Sequence, residues 1–289
     1  MLRTYDPVEG VASAQALDVS DFQGAYDWAR AARTYPGLAA GIYRVTQGLG
    51  APGTVSPDPD ATWNHREIRA CGLHRGAYHF LDPTLSGAAQ ARYFVDTLAK
   101  IGLVDQDMLW LDSETVGASP AATSACAAAF MAELHTLRPH NPKGVYTYID
   151  FATTGHCQGL GRWPLWLAYP ASTAPVPPPP WARWTWWQWG LRNGVDADGF
   201  NGTRTALDAW IASFQPPPAP APGPPYRHTT DGKTTLAGYA TSRHMTVEGF
   251  LAEQARLYTQ LGMLAGPALA ALGKAVPPAG LTYFTTHPS

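Results

Sequence analysis

Met108-Leu109-Trp110-Leu111-Asp112-Ser113-Glu114 is a short apolar run that ends in two carboxylates one residue apart. The run reads as a buried strand. Side chains two apart on a strand project the same way, which predicts Asp112 and Glu114 side by side where it ends. Two carboxylates in one cleft repel, so one holds a proton while the other stays ionised, the pairing that glycoside hydrolysis uses. Acids that follow a strand also cap helices or stay solvated, and the rest of the chain has to decide between these roles.

On either side of the run, strand and helix patterns alternate. Strands are predicted at Ala16 to Ser20, Ala39 to Thr46, Arg75 to Phe80 and Gly144 to Tyr148, and helices at Tyr26 to Arg33, Asp60 to Cys71, Ser86 to Ile101 and Pro120 to Leu137. Pro164 to Ala168, Trp184 to Trp189 and Val195 to Phe200 read as three further short strands with little helix between them, and a helix over Thr203 to Phe214 ends the unit. Eight strands, alternating with helices early and degenerating late, predict an irregular α/β barrel. Reacting groups in such barrels sit at the C-terminal ends of strands. Asp18, Asp112, Glu114 and Asp196 lie within or beside strands one, four and eight, and the first and eighth are neighbours in a closed barrel.

Residues 1–214 are thus read as the barrel. Gln215 to Pro225, QPPPAPAPGPP, is an extended Pro/Ala linker, and Tyr226 to Ser289 is a small α+β module with helices at Leu236 to Ser242 and Val247 to Leu261 and a strand at Leu281 to Phe284. The second Pro run, Pro175 to Pro180, reads as a loop inside the barrel.

The chain has 289 residues, 45% hydrophobic and 15% charged, with a net charge of -2. That balance carries no nucleic-acid footprint and no polybasic membrane patch, and the sequence has no apolar stretch long enough to span a bilayer. The first twenty residues carry Asp6 and Glu9 and do not read as a secretory signal. Cys71, Cys126 and Cys157 form no CxxC pair; they are either one disulfide and one thiol or three thiols. The 11 tryptophans are dense from Trp163 to Trp189, where aromatic faces either fill a core or stack on sugars.

Five motifs in order resemble glycoside hydrolase family 25, the N-acetylmuramidase lysozymes, over residues 15–214. They are D-V-S-x-x-Q-G at Asp18 to Gly24, G-A-Y-H-F at Gly76 to Phe80, L-D-S-E at Leu111 to Glu114, P-L-W-L-A-Y at Pro164 to Tyr169, and W-Q followed by V-D-A-D-G-F-N-G at Val195 to Gly202. The resemblance implies hydrolysis of the β-1,4 bond between N-acetylmuramic acid and N-acetylglucosamine in bacterial peptidoglycan, with retention and without metal or organic cofactor. By position, Glu114 matches the general acid and Asp112 its ionised partner, Asp18 and Asp196 the two further acids, and Tyr78, Tyr148, Trp187 and Gln188 fall where the substrate groove is lined. His79 and Phe80 are read between packing and function, and Asp21 and Asp198 as turn or capping acids. Gln47 stands where relatives often carry Glu.

The tail resembles a LysM wall-binding module at Thr235 to Ala240, Thr246 to Leu251 and Pro277 to Leu281, without that module's usual asparagines. A monomeric enzyme of the phage endolysin or virion-associated kind fits these readings, with export by another route as the alternative. Two rival readings fit less well. A family 18 chitinase would carry an acid where Trp110 stands. An inactive glycan binder has no reason to keep an acid cluster with its electrostatic cost.

Overall fold

The computed structural model describes residues 13–51 and 55–216. The LysM-like module, its helices and strand, and most of the Pro/Ala linker lie outside the described residues. Within them, β1 (Gln15–Val19), β2 (Leu38–Gln47), β3 (His74–Phe80), β4 (Met108–Asp112), β5 (Lys143–Tyr148), β6 (Leu165–Ala168), β7 (Trp186–Arg192) and β8 (Val195–Phe200) close into one barrel in chain order. Five helices cover it: α1 (Trp28–Thr34), α2 (Ala61–Ala70), α3 (Gly87–Ile101), α4 (Pro120–Leu137) and α6 (Arg204–Ala212). A short α5 (Ile149–Phe151) runs into a π-helical turn, Ala152–His156. Among the described residues no helix is long and apolar enough to cross a membrane.

Local chemistry sets the helix ends. Asp27, Ser86, Ser119 and Thr203 accept hydrogen bonds from backbone N–H groups three residues on, and Pro120 occupies the first turn of α4, where its missing N–H is not needed.

Strand alternation sorts the apolar residues into two layers. One set, including Leu17, Tyr43, Leu109, Leu111, Val145, Leu167, Trp187 and Trp189, packs outward against Phe94, Leu98, Phe130 and Leu134 of α3 and α4. The other set points to the barrel axis and forms an indole floor. Trp110 meets Trp166 edge-on at 5.7 Å and stacks on Trp210 at 6.3 Å, and Trp186 packs on Phe200 at 5.3 Å. Small residues make room for these rings. A Cβ on Gly144 would stand 2.3 Å from the Trp110 ring and 2.4 Å from the Pro164 carbonyl oxygen.

β1 to β7 run parallel, but β8 runs against both of its neighbours. The prediction that chemistry gathers at C-terminal strand ends therefore needs correction for one strand. β7 and β8 are a hairpin whose two-residue loop, Asn193-Gly194, has φ of 52° and 81°. These are the left-handed conformations of a type I′ turn, which Asn-Gly adopts readily. The hairpin tip lies at the same mouth as the C-terminal ends of β1 to β7, so residues at the start of β8 face that mouth.

Candidate active site

Asp18 is the fourth residue of β1, and its register partner on β8 is Asp196. Asp112 ends β4, and Glu114 follows two residues later on the chain leaving the barrel. The four acids singled out from sequence thus reach one mouth, above the indole floor. Asp18 and Asp112 are buried, whereas Glu114 and Asp196 are half-buried.

Burial dominates the electrostatics of all four. It pushes Asp18 up to about 7, with Asp196 and then Glu114 adding repulsion and the Gln188 amide opposing. Burial and then Asp196 raise Glu114 above the ordinary carboxylate range. Asp112 is held well above that range by burial, then by Glu114 and Asp18, with Arg44 opposing. Burial alone raises Asp196. Burial thus favours the protonated form of Asp112 as well as that of Glu114, where the sequence reading expects Asp112 ionised. The deeper carboxyl, with one oxygen lacking a hydrogen-bond donor among the described residues, binds its proton firmly as well.

Neutral groups fill the spaces between the acids. Gln188 Nε2 donates to Asp18 Oδ2 at 3.0 Å, and Tyr146 Oη donates to Gln188 Oε1 at 3.0 Å. Tyr78 lies edge-on to Trp166 at 6.4 Å; its hydroxyl holds its proton well above the usual phenol range because burial and then the charges of Asp18 and Asp112 disfavour a phenolate. Tyr148 ends β5 at the same mouth and packs on Phe151. Trp187 is not brought to the acids. It belongs to the outward layer and its indole N–H donates to the Tyr169 carbonyl at 2.7 Å, because alternation along β7 turns Gln188 inward and Trp187 away.

His79 is a packing residue. It lies between Thr46 and Gln90, at 2.8 and 3.0 Å, and stacks on Phe130, and burial lowers it to about 4. Phe80, at the end of β3, lines a pocket of about 170 Å³ with Gln47, Leu49, Leu81, Asp82 and Thr115, the last being the neighbour of Glu114. The rim carries exposed apolar side chains at the exits of β1, β4 and β6: Phe22, 87% exposed, Val116 and Tyr169.

Three contributors escaped the sequence reading. Arg44 on β2 is buried, pairs with Asp21 and with Asp58 at 3.3 Å, and is the cation that opposes the raised Asp112. Asp21 sits in the turn that leaves β1, as read from sequence, and is also an ion-pair partner of Arg44. Asp198 is no capping residue. It is fully buried on the axial face of β8, accepts the Trp166 indole N–H at 2.8 Å, and contacts the Asp18 carboxyl. Tyr146 joins the site through Gln188. Among the described residues no group of three His, Cys, Asp or Glu side chains is arranged to hold a metal ion, and all three cysteines are free thiols.

Comparison with known proteins matches this architecture. The family model for glycosyl hydrolases family 25 matches residues 17–197. The fold is similar to that of a muramidase from Acremonium alcalophilum, 27% identical with a TM-score of 0.61, covering 69% of this chain and 99% of that one. It is also similar to a bacterial lysozyme from Streptomyces coelicolor, 26% identical with a TM-score of 0.60, covering 70% and 98%. Lysozyme M1 of Streptomyces globisporus is 33% identical over 93 residues, 32% of this chain and 29% of that protein. The chain spans about a third of the length of the first curated relatives it matches.

Proposed function

Since this chain belongs to glycosyl hydrolases family 25, we propose that it is a muramidase, which hydrolyses the β-1,4 bond between N-acetylmuramic acid and N-acetylglucosamine in bacterial peptidoglycan. The observation that carries this reading is Glu114, a half-buried acid at the barrel mouth whose proton is held by burial and by Asp196, two residues beyond the deeper Asp112. The similar muramidase and lysozyme, both above 25% identity, support it.

Glu114 gives its proton to the leaving glycosidic oxygen as that bond breaks. The substrate's acetamido oxygen attacks the sugar carbon from the opposite side, and Asp112 receives the acetamido N–H. That donor favours the ionised form of Asp112, which leaves the acidic proton on Glu114 once substrate is bound. Glu114 then takes a proton from water as the water opens the cyclic intermediate, giving retention. Asp18 and Asp196 set the field around this exchange. Tyr78, Tyr148 and Gln188 line the bound glycan, and Phe22 and Tyr169 offer it ring faces at the rim.

The reaction as written needs no cofactor and no second subunit. Residues 226–289, read as a LysM-like module, would hold the enzyme to the wall in the manner of a phage endolysin. The test is mass spectrometry of fragments released from purified peptidoglycan after borohydride reduction. Label on muramic acid is the expected result. Label only on glucosamine, or no new ends, overturns the reading.

A further inference from the structure

Asp198 is a buried carboxyl beneath the mouth that the proposed reaction does not use. It is wholly shielded from water, one strand step deeper than Asp196 and facing the barrel axis. It closes a chain of contacts through five strands. Tyr146 on β5 donates to Gln188 on β7, Gln188 donates to Asp18 on β1, the carboxyls of Asp18 and Asp198 meet, and Trp166 on β6 donates to Asp198 Oδ1 at 2.8 Å. The Tyr146 and Trp166 rings touch at 4.7 Å and join the two ends.

Asp198 Oδ2 is buried and receives no donor among the described residues. A carboxylate oxygen in that position would be left unsatisfied, and two ionised carboxyls in contact would repel. The arrangement bonds only if one carboxyl is an acid and the other accepts its proton. Asp18 is the better anion, since the Gln188 amide donates to it and it retains a little exposure. Asp198 has one indole N–H and no cation. Of the groups facing Asp18, Asp196 from β8 and Glu114 beyond β4 are acids that oppose its charge, Asp112 is a third acid, and Tyr78 and Tyr146 are neutral phenols, so the bonds from Gln188 and Asp198 are what favour the anion.

We propose that Asp198 is a positioning residue for this site, a carboxylic acid that keeps its proton and donates it as a hydrogen bond to Asp18, fixing Asp18 as an oriented anion at the mouth. Its kinetic consequence rests on the muramidase reading, in which Asp18 sets the field around the proton exchange. Its structural content does not.

Two variants and an optical readout test it. Asp198→Asn keeps the shape and an N–H donor but removes the acid proton, whereas Asp198→Leu keeps the bulk and removes the donor. Infrared difference spectra of the unliganded protein at about pH 8 are expected to show a protonated carboxyl C=O band in the wild type that Asp198→Asn lacks. On soluble glycan fragments, Asp198→Asn is expected to keep kcat/KM within about threefold with its acidic limb in place. Asp198→Leu is expected to lose about tenfold or more, with the acidic limb moved to higher pH because Asp18 has lost a donor to its charged form. Absence of the band difference, or Leu kinetics equal to those of Asn, overturns the proposal. If the wild type releases no muramic ends, the muramidase reading falls while the infrared result still decides the state of Asp198.

Discussion

Asp18 and Asp196 are register partners across the antiparallel β1–β8 seam, so two carboxylates 178 positions apart in the chain are set side by side by backbone pairing alone. Asp196 also raises the half-buried Glu114. Asp196→Asn removes that repulsion, lets Glu114 lose its proton at lower pH, and is expected to move the basic limb of kcat/KM toward acid. A pH–rate profile on soluble glycan fragments measures this. An unmoved limb would show that Asp196 does not set the proton affinity of Glu114.

Glu114→Gln should leave the barrel intact and remove the proton donor. The expected loss in kcat is about a hundredfold to ten-thousandfold, the usual contribution of a positioned general acid. Circular dichroism and melting should stay at wild-type values or improve near neutral pH, because a carboxyl that resists ionisation is gone. Full lysis by this variant would remove Glu114 from the role.

Asp18 links acidity to stability. Its folded pKa of about 7 lies above the unfolded value of about 3.9. The folded state therefore binds the proton more tightly, and its contribution to stability is greatest at acid pH and declines as pH rises toward about 7. Asp18→Asn abolishes that titration. Its Tm should exceed the wild type's at about pH 8, and the difference should shrink as pH falls toward about 4. Differential scanning calorimetry across that range checks the sign.

Gly144→Ala tests the packing beneath the site. The added methyl meets the Trp110 ring on one side and a backbone carbonyl on the other, and a carbonyl in a strand connection does not move aside easily. The expected destabilisation is about 1–3 kcal/mol by urea unfolding, typical of overpacked cores. A wild-type midpoint would mean that the indole floor has slack.

Removing residues 226–289 should weaken pull-down by insoluble peptidoglycan more than it lowers turnover of soluble fragments. Equal affinity for the wall would assign the tail some other role.

Much of the barrel was legible because each strand carries its own apolar signature, and the run ending at Asp112 does so with no interruption. The direction of β8 was not read, although Asn193-Gly194 between two apolar segments is the local chemistry of a hairpin. Asp196 reaches the mouth because it lies near the start of a strand that enters there, and not at a strand's C-terminal end. The same two-residue rule that joined Asp112 to Glu114 puts Asp198 on the face of Asp196, yet capping was the easier explanation for an acid beside a glycine. Nothing local in the sequence says which of the adjacent Trp187 and Gln188 turns inward. That choice belongs to register, which long-range pairing sets. Arg44 was hidden inside an apolar strand, and its partners Asp21 and Asp58 lie on separate loops.

The Asn193-Gly194 turn makes one wall of the mouth adjustable. The strands β1, β3 and β4 lead directly into connections to α1, α3 and α4, so lengthening those connections bears on a helix. Asp196 stands two residues beyond an exposed two-residue turn, whose Asn193 amide donates to the Tyr35 hydroxyl at the end of α1. Insertions at that tip would lengthen a lip over the cleft while the ladder below keeps the acid in register. New sequence grafted at this turn could change which glycans are admitted without refolding the scaffold.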